Sequence, residues 1–193
     1  MSDKEFIEIA LRARKEEDRF FSNLAKPERE RWVVEEFLKQ LAIFVSDGDL
    51  LSQPQSDSID VVFRDANFQV KELTERNCRR SSEVREAFKR AQQATQPTEL
   101  HGTLVAHDIE LVDAYTFIRQ FAMDPRYPEG SRSKLDLLIY VTRTHAGLDR
   151  CAQPTDLATL GWRSISCLYG EHSYVLVAAN DAPAFLKDQH NGT

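Results

Sequence analysis

Ile59-Asp60-Val61-Val62-Phe63-Arg64-Asp65-Ala66-Asn67-Phe68-Gln69-Val70-Lys71-Glu72 decides the fold. Valine, isoleucine and phenylalanine favour strands, and the polar Arg-Asp-Ala-Asn between them reads as a tight turn. The stretch is therefore expected to be a β-hairpin. A turn centred on Asp65-Ala66 sets Asp60 opposite Lys71, Val61 opposite Val70 and Val62 opposite Gln69. Side chains alternate between the faces of a strand. Ile59, Val61, Phe63, Phe68 and Val70 then form an apolar slab, while Asp60, Gln69 and Lys71 share the other side. Directly opposed Cβ atoms lie about 5 Å apart. The polar side thus gathers an acid, an amide and an amine.

The rest of the chain supplies what covers such a hairpin. Residues 4 to about 24 read as an amphipathic helix with Phe6, Ala10, Ala13, Phe20 and Leu24 on one stripe. Pro27 suits a first helical position, and a second helix is expected to about Val45 with Val33, Val34, Phe37, Leu41 and Phe44 buried. Ser46 to Ser58 reads as a loop carrying a short strand at Leu50-Leu51. After the hairpin come a helix from Ser81 or Ser82 to about Thr95, a strand over Gly102–His107 and a helix from Ile109 to Phe121. Met123 to Lys134 reads as the longest flexible loop. Leu135–Thr142, Arg163–Tyr169 and Tyr174–Ala179 read as strands, with a short helix near Pro183–Lys187. The order predicts an α/β fold, a mixed central sheet flanked by helices. One domain over residues 1–193 is expected, with an N-terminal helical pair at 4–45 and a core at 46–193.

Composition bounds the function. The chain has 193 residues, 41% hydrophobic and 29% charged, as in ordinary soluble proteins. Met1 to Phe6 contains no apolar signal region, and no apolar run approaches the ~20 residues that span a bilayer. Three cysteines, Cys78, Cys151 and Cys167, lack any Cys-x-x-Cys pairing, so a reduced cytoplasmic protein without structural zinc is expected. Net charge is −6, which argues against a general nucleic-acid coat protein. Locally the balance reverses: Lys71 to Arg90 holds seven cations and four acids. Arg76, Arg79, Arg80 and Lys89 are candidate phosphate contacts in that stretch. The same charges also suit a solvated helix face with pairs such as Glu86–Arg90. The five histidines lack zinc-type spacing, and no Gly-x-Ser-x-Gly, Walker loop or Gly-x-Gly-x-x-Gly occurs.

The polar side of the hairpin suits metal-assisted phosphodiester cleavage. Magnesium takes oxygen ligands, and Asp60, the Gln69 carbonyl and the Val70 backbone carbonyl offer them. Lys71 would hold the attacking hydroxide and offset charge growing on the phosphate. Asp60 followed by Gln69-Val70-Lys71 resembles the PD-(D/E)XK nuclease superfamily, in which an aspartate starts one strand of a hairpin and a Glu-x-Lys or Gln-x-Lys triplet lies on the next. The glutamine form is similar to that of Mrr-type restriction endonucleases. The proline of the name is absent, since Ser58 and Ile59 precede Asp60.

Upstream, Glu30-Arg31-Trp32-Val33-Val34-Glu35-Glu36-Phe37 is similar to a helix of archaeal Holliday-junction resolvases whose glutamate reaches the metal site. Glu30 lies on the same stripe as Val33, Val34 and Phe37. As a whole the chain resembles a proteobacterial family of uncharacterised endonuclease-like proteins. The resemblance implies a restriction-endonuclease-like core and an endonuclease acting on DNA with Mg2+ or Mn2+. It also implies Glu30, Asp60 and Gln69 as metal ligands, Lys71 as the catalytic amine, and a homodimer that reaches both strands. Glutamine at 69 removes a negative charge, and an inactive nuclease-fold module binding nucleic acid or a protein partner is the alternative. Two simpler roles compete with these: an exposed Asp60–Lys71 pair, and Glu30 as a helix-dipole partner.

Overall fold

The computed structural model describes residues 2–54, 56–74, 80–100, 112–142, 146–148 and 153–191. The expected strand at 102–107 lies outside them. The chain divides into two compact units, residues 1–29 with 76–109, and residues 30–75 with 110–193.

In the first unit, α1 (Asp3–Phe20) begins with a capping box. The Ser2 hydroxyl accepts from the Glu5 N–H while the Glu5 carboxylate accepts from the Ser2 N–H. It packs against α3 (Arg80–Gln93). The expected apolar stripe is realised only weakly: no α1 residue is buried, and Leu24, outside the helix in a 3-10 turn, is 94% exposed. The Glu99 carboxylate accepts from the Thr95 and Gln96 N–H groups, which holds its carboxyl below the usual range.

The second unit is built on a six-stranded mixed sheet flanked by helices. Its strands are β1 (Leu50–Ser52), β2 (Val61–Phe63), β3 (Ala66–Leu73), β5 (Asp136–Val141), β7 (Ser164–Tyr169) and β8 (His172–Ala178), in that spatial order. The β3–β5 and β5–β7 pairs are parallel, and the outer pairs are antiparallel. A separate parallel pair joins β4 (Val112–Asp113) to β6 (Ala146–Gly147). The central strands are buried on both sides, as parallel strands require. One face carries Val61, Phe63, Phe68, Val70 and Leu138 under α2 (Lys26–Gln40), whose Val33, Val34, Phe37 and Leu38 are buried there. The other carries Leu73, Leu137, Ile139, Val141 and Cys167 under α4 (Ala114–Ala122). Among the described residues no helix is long and apolar enough to cross a membrane.

Two helical expectations change. α2 stops at Gln40 because Ala42 adopts a left-handed φ of 57°. The Ile43 N–H then bonds to the Leu38 carbonyl and the Ala42 N–H to that of Lys39, a Schellman closure. Phe44 consequently leaves the stripe and is 78% exposed. The stretch read as a flexible loop holds a helical turn, α5 (Glu129–Arg132), and is tied down by Arg132. The guanidinium of Arg132 donates to the Tyr127, Leu160 and Asp124 carbonyls. The chain ends its fold with α6 (Ala184–Asn191), whose Leu186 is wholly buried.

The hairpin forms with a different register. Val61 pairs with Phe68, Val62 with Asn67 and Phe63 with Ala66, so the turn is Arg64-Asp65. Arg64 takes the left-handed φ of 53° that a two-residue turn demands, with its guanidinium 4.7 Å from the Phe63 ring centroid. Ala66 is fully buried and so belongs to the strand. The change shifts each partner by two residues, which leaves the faces unaltered. The alternation ends at Asp60, however, and Ile59 packs into the core of the other face rather than the slab.

Candidate active site

The centre of interest is the place where β2 runs out and β3 continues. Along β3 the backbone groups point alternately to the two neighbouring strands. The Asn67 N–H points to the β5 side, where it donates to the Asp136 carboxylate at 2.8 Å. Phe68 points to the β2 side, where its carbonyl accepts from the Asp60 N–H at 2.9 Å. Val70 points that way too, but strand pairing ends at Val61. The Asp60 side chain replaces the missing partner: its Oδ2 accepts the Val70 N–H at 2.8 Å. The Gln69 amide Nε2 donates to that same Oδ2 and lies 3.5 Å from the Val70 carbonyl. Asp60 and Gln69 are 7% and 3% exposed. Asp60 therefore meets Gln69 rather than standing opposite Lys71.

Lys71 leaves β3 on the same face as Gln69 and is half-buried. Its Nζ donates to the Tyr127 hydroxyl at 2.8 Å and sits 5.0 Å from that ring's centroid. Tyr127 is itself rigidly held. Its N–H bonds to the Asp124 carbonyl, its carbonyl accepts from Arg132, and its ring lies 5.5 Å from that of Trp162. Beside it, the Asp124 carboxyl is pushed down to about 2. The hydrogen bonds from the Arg126 guanidinium are the main cause, followed by the Arg126 N–H, and the Lys71 charge adds to them.

Glu30 is buried, as its place on the α2 stripe implied. That stripe lies over the Val70 face of the sheet, whereas Gln69 and Lys71 leave β3 on the other. Among the described residues no three His, Cys, Asp or Glu side chains gather as a metal-binding group. Arg76 and Arg79 lie outside the described residues, as does the side chain of Arg80 at the start of α3. Lys89 is exposed on α3, in the other unit.

Two residues escaped the sequence reading. Tyr127 is 56 positions from Lys71, in a stretch without strand or helix periodicity. Asp136, fully buried, accepts from the Asn67 N–H, from Arg163 and from the Ser164 hydroxyl. It thereby ties the first residues of β3 to β5 and β7. A charged residue opening an apolar strand was its only trace in the sequence.

A solved structure of a protein of unknown function from Pseudomonas aeruginosa strain PAO1, described with the words "Monooxygenase Superfamily", resembles this chain with a TM-score of 0.59. The match covers 98% of this chain and 93% of that one at 24% identity, so it concerns the fold alone. No curated protein matches the chain. A family model matches residues 2–193, nearly the whole length. The chain belongs to that family, described as "Putative endonuclease, protein of unknown function (DUF1780)".

Proposed function

We propose that this protein is an endonuclease of the PD-(D/E)XK type that hydrolyses phosphodiester bonds in DNA, working as a homodimer. The observation that carries the reading is the contact of Asp60 with Gln69 at the end of β2, with Lys71 two residues further on the same strand. The family description supports it. Lys71 is a fixed cation half out of water, oriented by the Tyr127 hydroxyl. A cation so placed binds a phosphate oxygen and offsets the charge that grows there during attack. Arg76, Arg79, Arg80 and Lys89 are the proposed contacts to flanking phosphates.

Such enzymes use Mg2+ or Mn2+, and the donor set can be tested for fit. A divalent ion of this class needs several convergent oxygens. The Asp60 carboxylate and the Val70 carbonyl are suitable, but Gln69 turns its NH2 toward both of them. Glu30 is buried on α2, whose apolar stripe covers the Val70 face of the sheet. In this arrangement the corner does not fit the ion.

That misfit favours a second reading, a nuclease-fold module that binds nucleic acid without cutting it. The two readings separate in one experiment. The purified chain is incubated with linear, branched and single-stranded DNA in Mg2+, Mn2+ or EDTA. Cleavage that vanishes in Lys71→Ala supports the first. Salt-sensitive binding without cleavage supports the second. Neither binding nor cleavage refutes both.

A further inference from the structure

We infer that the Gln69 amide nitrogen occupies the position a divalent cation would take, so that the wild-type corner is closed to metal and Gln69→Glu opens it. The inference rests on the reading of Asp60, Gln69 and Lys71 as the working centre. Its physical basis is the hydrogen-bond geometry where β2 ends. Asp60 Oδ2 and the Val70 carbonyl are two hard oxygen acceptors, and Nε2 of Gln69 lies between them. An amide NH2 carries two donors and a partial positive charge, so it satisfies two such oxygens much as a small cation does.

The orientation is dictated by charge. Turning the amide over would set Oε1 against the carboxylate, two acceptors face to face at a site where Asp60 and Gln69 are 7% and 3% exposed. A metal ion would have to force that turn and also displace the bond from the amide to Asp60. It would gain only a neutral carbonyl ligand in exchange. Burial raises the cost, because the amide hydrogens would lose their acceptors away from water.

A glutamate at 69 reverses every term. It has the same length, brings no donor, and adds a negative charge beside Asp60. Without a cation the two carboxylates repel, and one of them is protonated instead. With a cation, two carboxylates and the Val70 carbonyl form an oxygen set of the kind that binds Mg2+ or Mn2+.

The test uses the full chain and the metal alone, with no nuclease readout. Wild type, Gln69→Glu and Gln69→Glu/Asp60→Asn are melted in EDTA and in Mn2+, and titrated with MnCl2 calorimetrically. Wild type should show no saturable site abolished by Asp60→Asn, and no Mn2+-dependent rise in melting temperature. Gln69→Glu should melt lower than wild type in EDTA, recover in Mn2+, and bind Mn2+ at least about tenfold more tightly than wild type. The double variant should lose that binding. Should Gln69→Glu fold only in Mn2+, Gln69→Ala gives the second arm. It removes the blocking amide, and Mn2+ should raise its melting temperature where it leaves wild type unchanged. A saturable, Asp60-dependent Mn2+ site in wild type overturns the inference, as does Gln69→Glu without Mn2+ binding. DNA cleavage by a wild type that binds Mn2+ through Asp60 would sink the inference and leave the function standing. A wild type that neither binds metal nor cuts would do the reverse.

Discussion

Replacing Asp136 with asparagine removes one charge and almost no volume, at the point where the sheet is tied together. The carboxylate is fully buried and takes the Asn67 N–H at 2.8 Å, Arg163 Nε at 3.1 Å and the Ser164 hydroxyl at 2.8 Å. Arg163 Nη2 donates to it as well. The Arg163 side chain is 12% exposed, so it cannot recover its hydration when the partner is neutralised. An asparagine also turns an NH2 toward groups that are all donors. Breaking one side of a buried pair costs about 3–5 kcal/mol. For a chain of this size each kcal/mol is worth roughly 2–4 °C, which gives a fall of about 6–20 °C. Urea unfolding followed by circular dichroism measures it, with the midpoint falling at constant slope. The paired replacement Asp136→Leu/Arg163→Met should lose less than the single changes add up to, with a coupling of roughly 1–3 kcal/mol. A loss under about 1 kcal/mol in Asp136→Asn, or no coupling in the cycle, would refute the view that this carboxylate pins β3 to its neighbours.

Other consequences are smaller and as easily checked. Ala42→Gly should raise stability by about 0.5–1 kcal/mol in the same urea assay, because Ala42 sits at a φ of 57° that costs a residue bearing a Cβ. The Asp124 carboxyl should titrate near 2 in a carbon-detected NMR series. Its folded value lies below the ordinary 3.8, so its contribution to stability is present above about 4 and disappears as pH falls through about 2. The Arg126 side chain is 72% exposed, which keeps that contribution below about 1 kcal/mol. Cys167 is fully buried and burial pushes its thiol up to about 12, so mass spectrometry should find it unlabelled by a thiol reagent until the chain is unfolded.

The core of the fold was legible because strand and helix periods differ. Val61, Phe63, Phe68 and Val70 alternate, and Val33, Val34 and Phe37 recur at helical spacing, so each set announced its own face. Register was less accessible. Ala66 is small and neutral in the sequence, and only its complete burial assigns it to the strand instead of the turn. The left-handed residues at both corrected positions, Ala42 and Arg64, are not glycine or asparagine and so gave no warning. Where β2 ends, the pairing of the polar side chains was not readable. The Asp60–Gln69 bond depends on β2 stopping at Val61, which leaves Val70 unpaired on its β2 side. The Lys71–Tyr127 bond joins residues far apart in the chain and leaves no local pattern.

If the corner of Asp60, Gln69 and Lys71 belongs to a DNA-cutting centre, Lys71 stabilises charge on the phosphate during attack. Single-turnover cleavage of a labelled duplex by wild type and Lys71→Ala, with binding measured in parallel, tests it most directly. In Lys71→Ala the rate should fall by about 10²–10³ at nearly unchanged affinity. An equal rate in the two proteins would contradict it.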